Sequence, residues 1–145
     1  YDHLSLLQFF EGDRLQAIRA SGDRREYFAA IRSAMHKWSQ HDDVVAGGES
    51  WTEFGARIRA GVTAACAGLG RDDDVLIVTS GGVIGRYASE VLEAGAGAAI
   101  QLNLQTRNTG VTEIVQPHSS GARLVSFNAI PHLERPDRVH AVTHS

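Results

Sequence analysis

The chain has 145 residues, 43% hydrophobic and 21% charged, with a formal net charge of −3. That suits one globular domain with a sizeable core. No basic stripe runs through its 14 basic and 17 acidic residues, which argues against nucleic acid as the main partner.

No run of about 18 apolar residues occurs, so no membrane span is expected. The polar start Tyr1-Asp2-His3 has no signal-peptide pattern, and a soluble cytoplasmic protein is the expectation. The missing initiator Met suggests that Tyr1 is not the natural start. The single cysteine, Cys66, rules out an intrachain disulfide, and its place on an apolar helical face reads as a small buried hydrophobe.

From Leu4 to Ser21 the apolar residues Leu4, Leu7, Phe10, Leu15 and Ile18 predict two short helical pieces around Gly12. Asp23-Arg24-Arg25-Glu26 has capping-box spacing. Tyr27, Phe28, Ile31, Met35 and Trp38 then recur at three- and four-residue steps, predicting a helix to about Trp38. Residues 41–48 read as a loop. Ser50-Trp51-Thr52-Glu53 is a second capping box, followed by the stripe Trp51, Phe54, Ile58, Val62, Ala65 and Leu69, with Gly68 and Gly70 as the stop.

Asp72-Asp73-Asp74 reads as a solvated turn in preference to a metal site. Val75-Leu76-Ile77-Val78 is apolar without alternation, the pattern of a strand covered on both faces in a parallel sheet. A helix over residues 83–94 follows the turn Thr79-Ser80-Gly81-Gly82. The run helix–strand–helix indicates a layered α/β domain. Residues 96–104 suit one more short helix. Residues 111–115 and 123–127 read as strands of an antiparallel hairpin, joined by the turn Pro117-His118-Ser119-Ser120-Gly121. No internal repeat or long linker interrupts the chain, so residues 1–145 are read as one domain.

In open α/β sheets ligands sit beyond the carboxyl ends of strands. Here that place is Thr79, Ser80, Gly81 and Gly82. Glycines let backbone approach a ligand closely, and the free N–H groups and partial positive charge of a helix N-terminus suit phosphate. Two related motifs fail: Val78 stands where a nucleophile elbow needs its first glycine, and no lysine completes a Walker A loop. The seven histidines (His3, His36, His41, His118, His132, His140 and His144) show no paired spacing with a carboxylate partner. No metal or other cofactor is expected.

Taken in order, Gly48-Glu49-Ser50, residues 75–78, Thr79-Ser80-Gly81-Gly82, Asn103-Leu104 with Asn108-Thr109-Gly110-Val111-Thr112, and Ser126-Phe127-Asn128 with His132-Leu133 resemble the histidine phosphatase superfamily, phosphoglycerate-mutase-like, in a bacterial Thr-Ser-Gly-Gly branch. The resemblance runs from about Tyr1 to the C-terminus. It implies a three-layer α/β/α fold with a mainly parallel sheet and a C-terminal antiparallel hairpin, here lacking its first strand. It also implies phosphoryl transfer through a phosphohistidine, with arginines and a second histidine on the phosphoryl oxygens and a carboxylate as general acid.

Two departures are plain. The chain contains no Arg-His-Gly, so the nucleophile, and the general acid with it, is expected in a missing N-terminal segment. Ser80 takes the second histidine's position, where a hydroxyl donates without charge. Ser80 is carried as a catalytic candidate together with His132, which would compensate if it folds back to the turn. Thr79, Ser80, Gly81 and Gly82 are the phosphate-binding candidates. Arg57 and Arg86 are the arginines placed near the predicted site elements, with Arg86 read as a solvated face residue.

The leading reading is a phosphomonoesterase or mutase acting on a phosphorylated small molecule or phosphoprotein, with homo-oligomer formation left open. A non-catalytic phospho-ligand-binding relative comes second. A serine hydrolase built on Ser80 comes third.

Overall fold

A computed structural model of the chain describes residues 2–42, 44–45, 48–117 and 120–144, the Asp13 side chain excepted. They form helices α1 (His3–Ser21), α2 (Arg24–His41), α3 (Trp51–Ala65), α4 (Gly81–Val91) and α5 (Ala96–Gln105), strands β1 (Val111–Val115) and β2 (Arg123–Ala129), and a short 3₁₀ turn, Val139–Ala141. The chain divides into two compact units, Tyr1–Ile58 and Arg59–Ser145, and the boundary falls within α3.

In the first unit, α1 is one helix broken at Glu11, whose φ −130° and ψ 23° are not helical. The two predicted pieces are thus the two arms of a kinked helix, and the break falls beside Gly12. The second arm stops at Gly22, which takes the left-handed conformation (φ 64°) that a side chain would disfavour. Asp23 caps α2 by accepting from the Arg25 N–H at 2.8 Å. The reciprocal bond of a full box is absent, because the Asp23 N–H donates to the Ser21 hydroxyl instead. Helix α2 runs past Trp38 to His41 and ends where Asp42 turns left-handed.

Ser50 and Glu53 form the complete capping box. The Glu53 N–H donates to Ser50 Oγ at 3.2 Å and the Ser50 N–H to Glu53 Oε2 at 2.8 Å. The core joins Leu6, Leu7, Leu15 and Ile18 of α1, Ala30, Ile31, Ala34, Met35 and Trp38 of α2, Val45, and Trp51, Phe54 and Ile58 of α3. Trp38 stacks edge-on to Trp51 at 5.2 Å between ring centres and lies 5.6 Å from Phe54. Its indole N–H donates to the Glu49 carbonyl at 3.1 Å, so the largest core side chain buries no orphan donor.

In the second unit α4 packs on α5 at backbone contact. A Cβ added to Gly85 would lie 2.6 Å from Asn103 N and 2.7 Å from the Ala99 carbonyl oxygen, so only glycine fits there. Ala88, Ala99, Ile100 and Ile130 are the buried apolar residues. β1 and β2 form the expected antiparallel hairpin, with Val111 opposite Ala129 and Val115 opposite Arg123 and two register shifts between. His118 and Ser119 of the predicted turn lie outside the described residues, as do Asp43, Ala46 and Gly47 of the predicted 41–48 loop.

Several local expectations differ from the structure. Residues 75–78 form no strand. Among the described residues the sheet is the two-stranded hairpin, and the helices with this small antiparallel sheet make a mixed α and β arrangement. Parallel pairing needs a neighbouring strand's backbone groups, and among the described residues no strand pairs with residues 75–78. Exposure along the segment alternates, 43, 85, 44 and 89% from Val75 to Val78, as an extended chain presents alternate side chains. Helix α3 ends at Ala65, short of Leu69, and Cys66 is half-exposed, not buried. The helix after the glycine pair starts at Gly81 and stops at Val91, followed by a left-handed Glu93.

Candidate functional site

The turn at residues 79–82 starts at the end of the extended apolar segment. Thr79 and Ser80 are exposed, and Gly81 and Gly82 are buried in the first turn of α4. Ser80 is the N-cap, with extended backbone (φ −86°, ψ 159°), and its carbonyl accepts from the N–H groups of Val83 and Ile84, both at 3.1 Å. Its hydroxyl makes no capping bond. This matters because an N-cap serine normally spends its oxygen on the helix's own N–H groups. Here the hydroxyl makes no such bond. The N–H groups of the first helical turn have no intrahelical partner by construction, and they carry the positive end of the helix dipole.

Further along α4, Glu90 gathers two arginines. Glu90 accepts from Arg86 at 3.1 Å, one helical turn away, and both its oxygens accept from Arg59 at 3.1 Å. Arg86 is therefore not a solvated face residue: its side chain is only 18% exposed and ion-paired. Tyr87 donates to Gln116 at 3.4 Å, and burial pushes its hydroxyl's pKa up. Sequence reasoning overlooked Glu90 as the carboxylate both arginines share. The Arg86–Glu90 spacing of four was legible, but the Arg59 contact arises from folding.

Arg57, the other arginine singled out, belongs to the first unit. It pairs with Glu49 through two bonds, 2.9 and 2.5 Å, and its guanidinium lies 5.4 Å over the Phe54 ring. That bond holds the Glu49 carboxyl below its usual range and the Arg57 guanidinium above its own.

His132 is exposed and its Nε2 lies 2.8 Å from Thr109 Oγ1; its carbonyl accepts from Arg138 at 3.3 Å. Among the described residues no hydrogen bond joins His132 to Ser80. Thr109 itself has φ 63°, an uncommon conformation for a β-branched residue. The turn before β1 is stitched to β2 by Asn128, which accepts from the Arg107 N–H, donates to the Gln105 carbonyl, and whose own N–H donates to Thr112 Oγ1. Asn108 donates to Thr143 Oγ1 at 2.8 Å. Among the described residues no three His, Cys, Asp or Glu side chains gather as metal ligands would. No helix there is long and apolar enough to cross a membrane.

The model of the histidine phosphatase superfamily (branch 1) matches residues 18–130, well over half of the chain. The chain belongs to the histidine phosphatase superfamily. Membership suggests phosphoryl transfer in general. The family match takes in Gly48-Glu49-Ser50, the 79–82 turn, Asn108 to Thr112 and Ser126-Phe127-Asn128; it stops short of His132. Neither the curated proteins nor the solved structures compared with the chain give a match.

Proposed function

We propose that Thr79, Ser80, Gly81 and Gly82 bind the phosphoryl group of a phosphorylated small molecule or phosphoprotein. The intact protein is then a phosphomonoesterase or a phosphoglycerate-mutase-like enzyme. The supporting observation is the uncommitted Ser80 hydroxyl beside the first N–H groups of α4, within the span of the family match. Those donors suit phosphoryl oxygens, and stabilising their developing charge is the main task in such a transfer. The nucleophilic histidine comes from an Arg-His-Gly segment outside these 145 residues. In this reading residues 75–78 become a buried parallel strand of a three-layer α/β/α domain once a neighbouring strand pairs with them. The exposure of Leu76 and Val78 supports that. Residues 1–145 then form the C-terminal portion of one such domain, His132 being a secondary catalytic candidate.

The experiment is turnover of p-nitrophenyl phosphate by the chain joined to its own upstream coding sequence, with acid-quench trapping of phosphohistidine. Turnover with a trapped phosphohistidine is expected. An upstream Arg-His-Gly without turnover or phosphoenzyme favours the second reading, a non-catalytic phospho-ligand binder, which is motivated by the neutral hydroxyl at Ser80. A serine hydrolase is disfavoured because His132 bonds Thr109.

A further inference from the structure

The kink in α1 is held from outside the helix. Lys37 of α2 donates to the Phe10 carbonyl at 3.2 Å and to Glu11 Oε1 at 2.6 Å, and the Ser33 hydroxyl donates to the same oxygen at 2.9 Å. Arg14 reaches the other oxygen at 3.4 Å. The Glu11 side chain is 3% exposed, while that of Lys37 is 43% exposed. One exposed ammonium thus satisfies a helix-break carbonyl and neutralises a buried carboxylate.

The same sequence is compatible with an unbroken helix. Leu7, Glu11, Leu15 and Ile18 are spaced by four, four and three, so a straight α1 places all four on one face. Gly12 stands next to the break, and its lack of a Cβ widens the backbone conformations open to the chain there. The two arms line an open cleft of about 580 Å³, with Leu4, Ser5, Gln8 and Phe9 on the first arm and Arg19 on the second.

We propose that Lys37 is the latch of a two-position hinge at Glu11: while its ammonium bridges Phe10 and Glu11, α1 stays bent around its cleft, and once that bridge is lost α1 straightens and the cleft opens out. Without the ammonium, a buried carboxylate is left with a hydroxyl and one long bond, at 3.4 Å, to a largely exposed guanidinium, which is unfavourable until the carboxylate is protonated or leaves its site. Among the described residues the groups facing Glu11 are Arg14 from α1 and Ser33 and Lys37 from α2. Acid and loss of the Lys37 charge therefore act in the same direction.

The test places spin labels at positions 4 and 19 (Leu4→Cys, Arg19→Cys, in a Cys66→Ser background) and reads their separation. Fifteen residues of straight helix span about 22 Å, and a bent helix brings the ends closer. The parent is expected to show a short, narrow distribution at neutral pH. Lys37→Met, and the parent at acid pH while still helical by circular dichroism, are expected to lengthen it toward the straight-helix span. The swap Glu11→Lys with Lys37→Glu is expected to restore the short distance. If Lys37→Met loses its helical signal, the acid series on the parent decides. A separation unchanged until acid unfolding, or unchanged in folded Lys37→Met, overturns the proposal.

Discussion

Gly85 lies against the backbone of Asn103, so close that a single added carbon would sit 2.6 Å from the Asn103 nitrogen. Both sit within helices, so neither can move aside alone. Gly85→Ala is expected to cost about 1–3 kcal/mol, as overpacking does. Gly61→Ala in α3, where nothing lies within 4 Å, is expected to gain about 0.5–1 kcal/mol. Denaturant midpoints of the two variants should move in opposite directions from the parent.

Two serines at helix starts separate structural from ligand-directed roles. Ser50 spends its hydroxyl on the Glu53 N–H, whereas Ser80 makes no such bond. Ser50→Ala is expected to cost about 1 kcal/mol. Ser80→Ala is expected to leave the melting temperature nearly unchanged while weakening phosphate binding several-fold. Calorimetric melts and inorganic phosphate titrations check the pair.

The aromatic cluster carries much of the first unit's burial. Phe54 is 1% exposed, touches Trp38 and Trp51, and supports the Arg57 guanidinium. Phe54→Ala is expected to cost about 3–5 kcal/mol, through lost transfer energy and the cavity left behind. Tryptophan fluorescence during denaturation reports it directly.

The buried carboxylate makes stability pH-dependent. Burial pushes the Glu11 pKa up, but the Lys37 and Ser33 hydrogen bonds and the Lys37 and Arg14 charges outweigh it, leaving the group below its ordinary 4.5. A lowered folded-state pKa means the contribution is complete above 4.5 and is lost as pH falls through the lower folded value. The unfolding midpoint is expected to drop on acidification below that point. Glu11→Gln should flatten this part of the profile, and an unchanged slope would count against the assignment.

Local chemistry was readable from the residues in order. The Ser50–Glu53 box, the apolar spacing of α2, the Gly81–Gly82 turn and the 111–127 hairpin, which the structure extends to Ala129, are set by capping, 3.6-residue periodicity and turn composition, all short-range. Three placements were not readable. Glu90 draws in Arg59 from 31 positions away, Lys37 reaches across to the α1 break, and His132 goes to Thr109. Each pairing joins groups far apart in sequence, and no periodicity encodes such a partner.

The sequence alone determined that residues 75–78 are an unbroken apolar run and that a glycine turn follows into a helix, because hydrophobicity and glycine's lack of a Cβ are properties of the residues themselves. The order of its motifs also pointed to the histidine phosphatase superfamily. Only the tertiary structure decided that the Ser80 hydroxyl is free of its own helix, and that residues 75–78 have no strand partner among the described residues. A hydrogen bond and a strand pairing depend on which group arrives opposite, and folding determines that.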